Sequence, residues 1–369
     1  MNGITAAPTR NSSRRTLWHW AQVLAWAAGM FIWGSLIVWP RLGLHLLWNV
    51  LIPVAPALLV LAPGVWRNLC PLGSISLAPH HFGLSQRTNL SPVWRGRLYL
   101  GALVLLLVVV PLRKVVLDTN GPLLAAVLAV VGLLAIGLGF AFNWKSSWCS
   151  SLCPVYPVEL LYGSRPLVWV ANAHCPNCSC CVAPCSEATT GVTPRSAVRT
   201  PLGRYVGIVL TGCFPGFVWG WYQVPTYTGM DGFTHLPLAY GLPWLAGGLT
   251  LALYLAVRKA WPRQDNLIGS IFAASAIITY YWFRLPPVFG IGDPAKAMIV
   301  DVSRWLPSWS ATALRLFELV AFSWLMLRGA GRRRGWQLPL PIVIHSSGPA
   351  RVAEPVLSRT ASPSPPQYV

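Results

Sequence analysis

Long apolar stretches dominate the chain, and its polar residues gather between them. Runs at 17–39, 43–65, 98–118, 121–142, 204–225, 237–257, 266–285 and 307–327 are each close to the about 20 apolar residues that cross a bilayer as a helix. The pattern predicts an all-α fold: a polytopic transmembrane bundle of eight helices, since a spanning segment must satisfy its own backbone. The third run is the least clean, because Arg113 and Lys114 interrupt it near one end. Their long stems can carry the charges to the interface. Residues 1–16 are polar and include Arg10, Arg14 and Arg15. The apolar run behind them exceeds a signal-peptide h-region and lacks a clear small-residue cleavage site, so it reads as a retained first helix.

The polar segments give the orientation. With the N-terminus inside, segments 1–16, 66–97, 143–203, 258–265 and 328–369 hold twenty of the 28 Lys and Arg. The outer segments hold three, Arg41, Lys296 and Arg304, or six with Arg113, Lys114 and Arg284 at outer span ends. This positive-inside bias predicts a multi-pass membrane protein with both termini cytoplasmic. The domain organisation follows. A cytoplasmic segment, 1–16, precedes four spans over 17–142 with a Cys-Pro loop at 66–97. A cysteine-rich cytoplasmic loop, 143–203, leads to four further spans over 204–327. A basic and then Pro- and Ser-rich tail, 328–369, reads as disordered towards its end. The turn-rich outer stretch 286–306 reads as a connector.

Composition agrees with membrane lipid as the solvent. The chain is 54% hydrophobic and 10% charged, where a soluble domain carries about 25% charge. The net charge of +19 could suggest nucleic acid, but inner loops of membrane proteins accumulate the same charge, so no nucleic-acid partner is expected. The 20 tryptophans suit interfacial belts.

Eight of the nine cysteines fall into three loop motifs. Cys175, Cys178, Cys181 and Cys185 form C-x2-C-x2-C-x3-C, the bacterial ferredoxin spacing for a [4Fe–4S] cluster. Soft thiolates suit such clusters, and Pro176, Asn177, Ser179 and Ala183 let a tight loop wrap one face. Zinc is the rival, but a four-cysteine zinc site splits into two well-separated pairs. Cys180 falls off the register and reads as a non-ligand. An inner-side location keeps thiols reduced and favours metal ligation over disulfides.

The other motifs form an internal repeat. Leu69-Cys70-Pro71-Leu72 recurs as Leu152-Cys153-Pro154-Val155, 83 residues later, and each opens an inner loop after a pair of spans. Cys149 lies four residues before Cys153. Cys70, Cys149 and Cys153 are candidate additional ligands or redox thiols. In two-cluster ferredoxins the fourth cysteine of such a run serves the other cluster. Only one complete run exists here, so one cluster is expected, and either Cys185 closes it or the fourth ligand comes from Cys149, Cys153 or Cys70; a second cluster, held by Cys185, Cys149, Cys153 and Cys70, is arithmetically available. A packed turn, with proline restarting a helix, is the structural alternative for the Cys-Pro motifs. Cys213 lies in a span and reads as core.

Two span pairs, each followed by a Cys-Pro loop, then a ferredoxin run, resemble the NosR/NapH-type membrane ferredoxins (polyferredoxin-like proteins) of bacterial respiration. Cys149-Ser-Ser-Leu-Cys153-Pro154 looks like that family's C-x3-C-P motif, and Cys175 to Cys185 followed by Glu187-Ala188 looks like its cluster run. The likeness covers roughly residues 17–200. It implies a place in a bacterial inner (cytoplasmic) membrane and electron transfer between a cytoplasmic ferredoxin-like donor or the quinone pool and a respiratory or maturation partner. The chain departs from the family in three places. It has one ferredoxin run rather than two, Trp66 stands where Cys149 stands in the second motif, and Ser186 replaces the usual proline. These departures point to a divergent membrane ferredoxin, an electron carrier rather than a stand-alone enzyme. A redox assembly factor and a transporter with a structural zinc loop are the alternatives.

Arg315 and Glu318 sit inside the last span at i, i+3, where they share a helix face and can pair. Intramembrane charges suggest function by default, here a proton or quinone site. A neutralised structural pair is the alternative. His19 and His45, near span ends, read as interfacial or core residues rather than haem ligands. His174, beside the cluster run, could tune a cluster sulfur. No nucleotide-binding or hydrolase motif is visible.

Overall fold

The protein was analysed as a computed structural model, which describes residues 10–86, 88, 90–142, 145–168, 170, 192–229, 231–291, 299–307 and 309–328. The helices in chain order are α1 (Arg10–Val38), α2 (Pro40–His45), α3 (Ile52–Leu61), α4 (Pro63–Leu69), α5 (Pro71–Ser76), α6 (Ala78–His81), α7 (Pro92–Leu112), α8 (Gly121–Ala141), α9 (Val155–Tyr162), α10 (Pro201–Gln223), α11 (Asp231–Thr234), α12 (Leu236–Ala260), α13 (Asp265–Val288) and α14 (Ser310–Leu327). Among the described residues there is no strand, only an isolated bridge between Thr88 and Phe142.

Among the described residues, eight helical stretches are long and apolar enough to cross a membrane: Thr16–Val38, Pro40–Leu61, Pro92–Leu117, Gly121–Ala141, Pro201–Gln223, Leu236–Ala260, Pro262–Val288 and Ser310–Leu327. Each of the eight expected apolar runs falls on one of them, with the ends shifted by a few residues. The starts are written locally. Ser91, Asn120 and Thr200 cap α7, α8 and α10 by accepting the amides of Trp94, Leu123 and Gly203. Proline occupies the first turn of each, where its missing N–H has no ladder partner to lose. Two spans pass through a π-helical turn beside a proline. Leu46–Leu51 joins α2 to α3 ahead of Pro53 and Pro56, and Arg113–Leu117 extends α7 beyond Pro111. Proline removes a ladder donor, and local re-registration absorbs the loss.

α10 forms the centre of the bundle. Two-thirds of its apolar window is buried, 67% against 11% for Thr16–Val38. Gly212, Gly216 and Gly220 recur every fourth residue along it and face α12. A β-carbon on Gly212 would meet Tyr254, one on Gly216 would overlap the Ala246 carbonyl, and one on Gly220 would meet Leu242 and Pro243. Lipid supplies no hydrophobic drive between helices, so close backbone approach through small residues holds such pairs by packing.

The core divides in two. One cluster gathers Leu59, Tyr99, Tyr156, Leu160, Leu210, Phe217, Ile277 and Met326. The other gathers Leu36, Val115, Leu117, Leu124, Val224 and Ala239 at the opposite end of the helices. At that end Arg113 is accommodated rather than left in lipid. Its guanidinium lies 3.7 Å over the Trp48 ring and 5.0 Å from Trp221, and its Nε donates to Asp118 at 3.0 Å.

Candidate functional site

The first Cys-Pro motif is a break between two helical pieces. α4 stops at Leu69, Cys70 turns extended (φ −60°, ψ 118°), and Pro71 opens α5. A residue before proline is pushed out of the helical region, while proline itself suits a first turn. The break stays hydrogen-bonded: the Cys70 amide donates to the Trp66 carbonyl at 2.9 Å, and the Cys70 carbonyl accepts from the Ser74 amide at 3.1 Å. The second motif repeats the device. A π-helical stretch, Lys145–Leu152, ends at Cys153, and Pro154 leads into α9. The Cys153 amide donates to the Trp148 carbonyl at 2.9 Å. Both Cys-Pro motifs thus interrupt a helical stretch, the first after an α-helical turn and the second after a π-helical one.

Folding brings the two breaks together. A β-carbon on Gly73 would lie 3.7 Å from both the Cys149 Sγ and the Cys70 Cβ, so glycine leaves room for that sulfur against the α5 turn. Arg67, on the last turn of α4, pairs with Glu159 of α9 and ties the two motifs directly. Around them Asn68, Ser76, Ser147, Ser150 and Ser151 are buried. Trp148 is fully buried and anchors the second motif.

Neither break hangs clear of the helices. Pro71 packs on Gly29 of α1, thirteen residues in from Thr16, about 20 Å along the axis. Leu152 reaches Gly101 of α7, four residues beyond Arg97. Both motifs pack against the sides of long apolar helices. Non-helical backbone beside such helices is tolerated where protein buries it.

Cys175, Cys178, Cys181 and Cys185, with Cys180 and His174, lie outside the described residues. Their flanks do not. Val170 abuts Gly64, on the helix that carries Arg67, and the Val168 amide donates to the Leu61 carbonyl at 2.8 Å. On the return, the Tyr99 hydroxyl donates to the Pro194 carbonyl at 3.2 Å, and Pro194 also rests on Gly207 of α10. Arg195 pairs with Asp265, which also accepts from Arg258 Nε at 2.7 Å. The chain thus departs from and returns to the end of the bundle that holds Cys70, Cys149 and Cys153.

Burial pushes the Cys153 thiol up to about 12, and neighbouring Cys70 adds to the rise. Without a metal this sulfur is a neutral thiol, and ligation would have to displace its proton. Among the described residues no three His, Cys, Asp or Glu side chains are arranged to share a metal ion. The soft donors are the right type for iron–sulfur chemistry. Cys70, Cys149 and Cys153 could add ligands to such a site but do not complete one by themselves.

Other sequence expectations fare differently. Arg315 and Glu318 share a helix, yet they do not hydrogen-bond. The Arg315 Nε donates to the Trp282 carbonyl at 3.3 Å and its guanidinium lies 5.2 Å from that ring, while both Glu318 oxygens lack a hydrogen-bond partner. A backbone carbonyl on α13 outcompetes the carboxylate one turn away. His45 Nδ1 lies 3.0 Å from Asn49 Nδ2. Cys213 is buried within α10, as its position in a span suggests. The Arg67–Glu159 pair was not singled out from the sequence. The nearest signal was an arginine beside the first Cys-Pro motif and a glutamate beside the second. No family model, no curated protein and no solved structure matches this chain.

Proposed function

We propose that this protein is a membrane-embedded [4Fe–4S] electron carrier, a divergent relative in kind of the NosR/NapH-type membrane ferredoxins. Cys175, Cys178, Cys181 and Cys185 would hold the cluster, with Cys70, Cys149 and Cys153 as neighbouring ligands or redox thiols. Such a cluster, when bound, stores one electron at a time. The carrier would pass electrons between a cytoplasmic ferredoxin-like donor or the quinone pool and a respiratory partner. On this reading the cysteine face is cytoplasmic, and its positive charge attracts acidic redox proteins.

The observation that carries the proposal is convergence. Three cysteines from two sequence-distant motifs gather at the end of the bundle where the C-x2-C-x2-C-x3-C segment is attached at both of its flanks. A zinc-knob transporter would not call for extra thiols there.

The test is iron and acid-labile sulfide stoichiometry, with electron paramagnetic resonance of the reduced, anaerobically purified protein. Iron and sulfide in cluster ratio, with a broad visible absorbance lost in Cys178→Ser, is the expected result. Bound zinc without iron or sulfide would overturn the reading. Reduction of the cluster by quinol in native membranes would separate a carrier from an assembly factor.

A further inference from the structure

Glu318 stands in α14 eight residues from Ser310 and nine from Leu327, the middle of the last span. It is 1% exposed, and neither carboxylate oxygen has a hydrogen-bond partner. Buried carboxylates in folded proteins are paired or hydrogen-bonded, because an ionised one alone in a low-dielectric surrounding is expensive. Arg315, one turn away, acts on the carboxyl through space but makes no hydrogen bond to it, and its Nε donates to the Trp282 carbonyl instead.

The surroundings are built rather than accidental. α14 packs on α13, and the groups facing Glu318 are Arg315 on its own helix and Tyr281 on α13. The Tyr281 ring stacks on Phe322, one turn along α14 from Glu318, with centroids 5.0 Å apart. Its hydroxyl donates to the Pro53 carbonyl at 2.6 Å and accepts from the Ala57 amide at 2.9 Å. Those two groups are the i−4 and i partners that an uninterrupted α3 would join to each other. The phenol therefore bridges a polar gap in α3 and borders the carboxyl of α14. A leucine at 318 would satisfy packing alone. What a carboxyl adds in this place is an equilibrium with a proton.

We propose that Glu318 is a mid-membrane proton-binding site, which takes up and releases a proton in the folded protein. The step is carboxylate plus proton to carboxylic acid, with no heavy-atom bond made or broken and no electron transferred. It does not depend on the presence of a cluster.

The test is infrared spectroscopy of the full-length protein in lipid vesicles, in H2O and after transfer to D2O. A carboxylic-acid C=O band that shifts on deuteration, disappears in Glu318→Gln and persists in Arg315→Gln is the expected result. Glu318→Asp, which keeps the acid and moves the band, serves if the glutamine variant does not fold. The absence of such a band shows a permanent carboxylate and overturns the proposal. A band that never responds to D2O shows a sealed structural acid and overturns it equally.

Discussion

Arg67 and Glu159, 92 residues apart in sequence, form an ion pair between the helix that ends at Cys70 and the helix that begins after Cys153. Their side chains are only 14% and 9% exposed. The pair couples the two Cys-Pro breaks mechanically: neither can move away from the other without parting it.

Breaking that pair from one side should be severe. Arg67→Met takes from the buried Glu159 its ion-pair partner on α4, and a loss of up to about 3–5 kcal/mol is expected. The double variant Arg67→Met/Glu159→Leu removes both charges and should recover most of the loss. Denaturant unfolding in detergent, followed by tryptophan fluorescence, measures both. A double variant as unstable as the single would show that the pair is not what holds the motifs.

The Arg195–Asp265–Arg258 cluster should behave differently, although it also pins the chain near the cysteine end. Its members are 23–30% exposed. Solvent and salt screen such pairs, so Asp265→Asn should cost about 1 kcal/mol or less per lost contact. The loss should shrink as ionic strength rises. The same unfolding assay at low and high salt checks this.

Gly64 and Gly73 offer a matched pair. A β-carbon on Gly64 would overlap the Val170 carbonyl, whereas one on Gly73 makes ordinary contact at 3.7 Å with Cys149 and Cys70. Gly64→Ala should displace the chain where it enters the cysteine segment and lower iron content, with helical circular dichroism unchanged. Gly73→Ala should keep its iron. Equal iron in both variants would argue that the entry point does not position the ligands.

At the α10–α12 contact, Gly216→Val should destabilise strongly, because its side chain would collide with the Ala246 backbone. Gly248→Val on α12 meets open space and is the control. Overpacking a tight core typically costs about 1–3 kcal/mol, and backbone contact leaves little room for relief. The comparison is read from thermal aggregation midpoints in the same detergent.

Tyr281→Phe removes the hydroxyl that bridges Pro53 and Ala57. The freed carbonyl and amide can close on each other, so the expected loss is moderate, about 1 kcal/mol. Denaturant midpoints check the magnitude. A loss of several kcal/mol would show that α3 cannot close that turn unaided.

The eight spans were legible because lipid demands long apolar helices, and a run of apolar residues is a one-dimensional signal. The breaks at Cys70-Pro71 and Cys153-Pro154 and the burial of Cys213 were local in the same sense; the caps at Ser91, Asn120 and Thr200 are local too, but only the structure identified them. The packing of both Cys-Pro motifs against Gly29 and Gly101 was not legible. The polar character of 66–97 and 143–162 suits a surface loop as well as a buried one, and only Arg67 meeting Glu159 distinguishes them. Likewise the i, i+3 spacing of Arg315 and Glu318 allowed a pair, but a carbonyl on a neighbouring helix took the arginine. The sequence by itself determined what must be helix and which thiols could act. The tertiary structure alone decided which charges are matched, because a side chain's partner is set by what other helices bring within hydrogen-bonding reach.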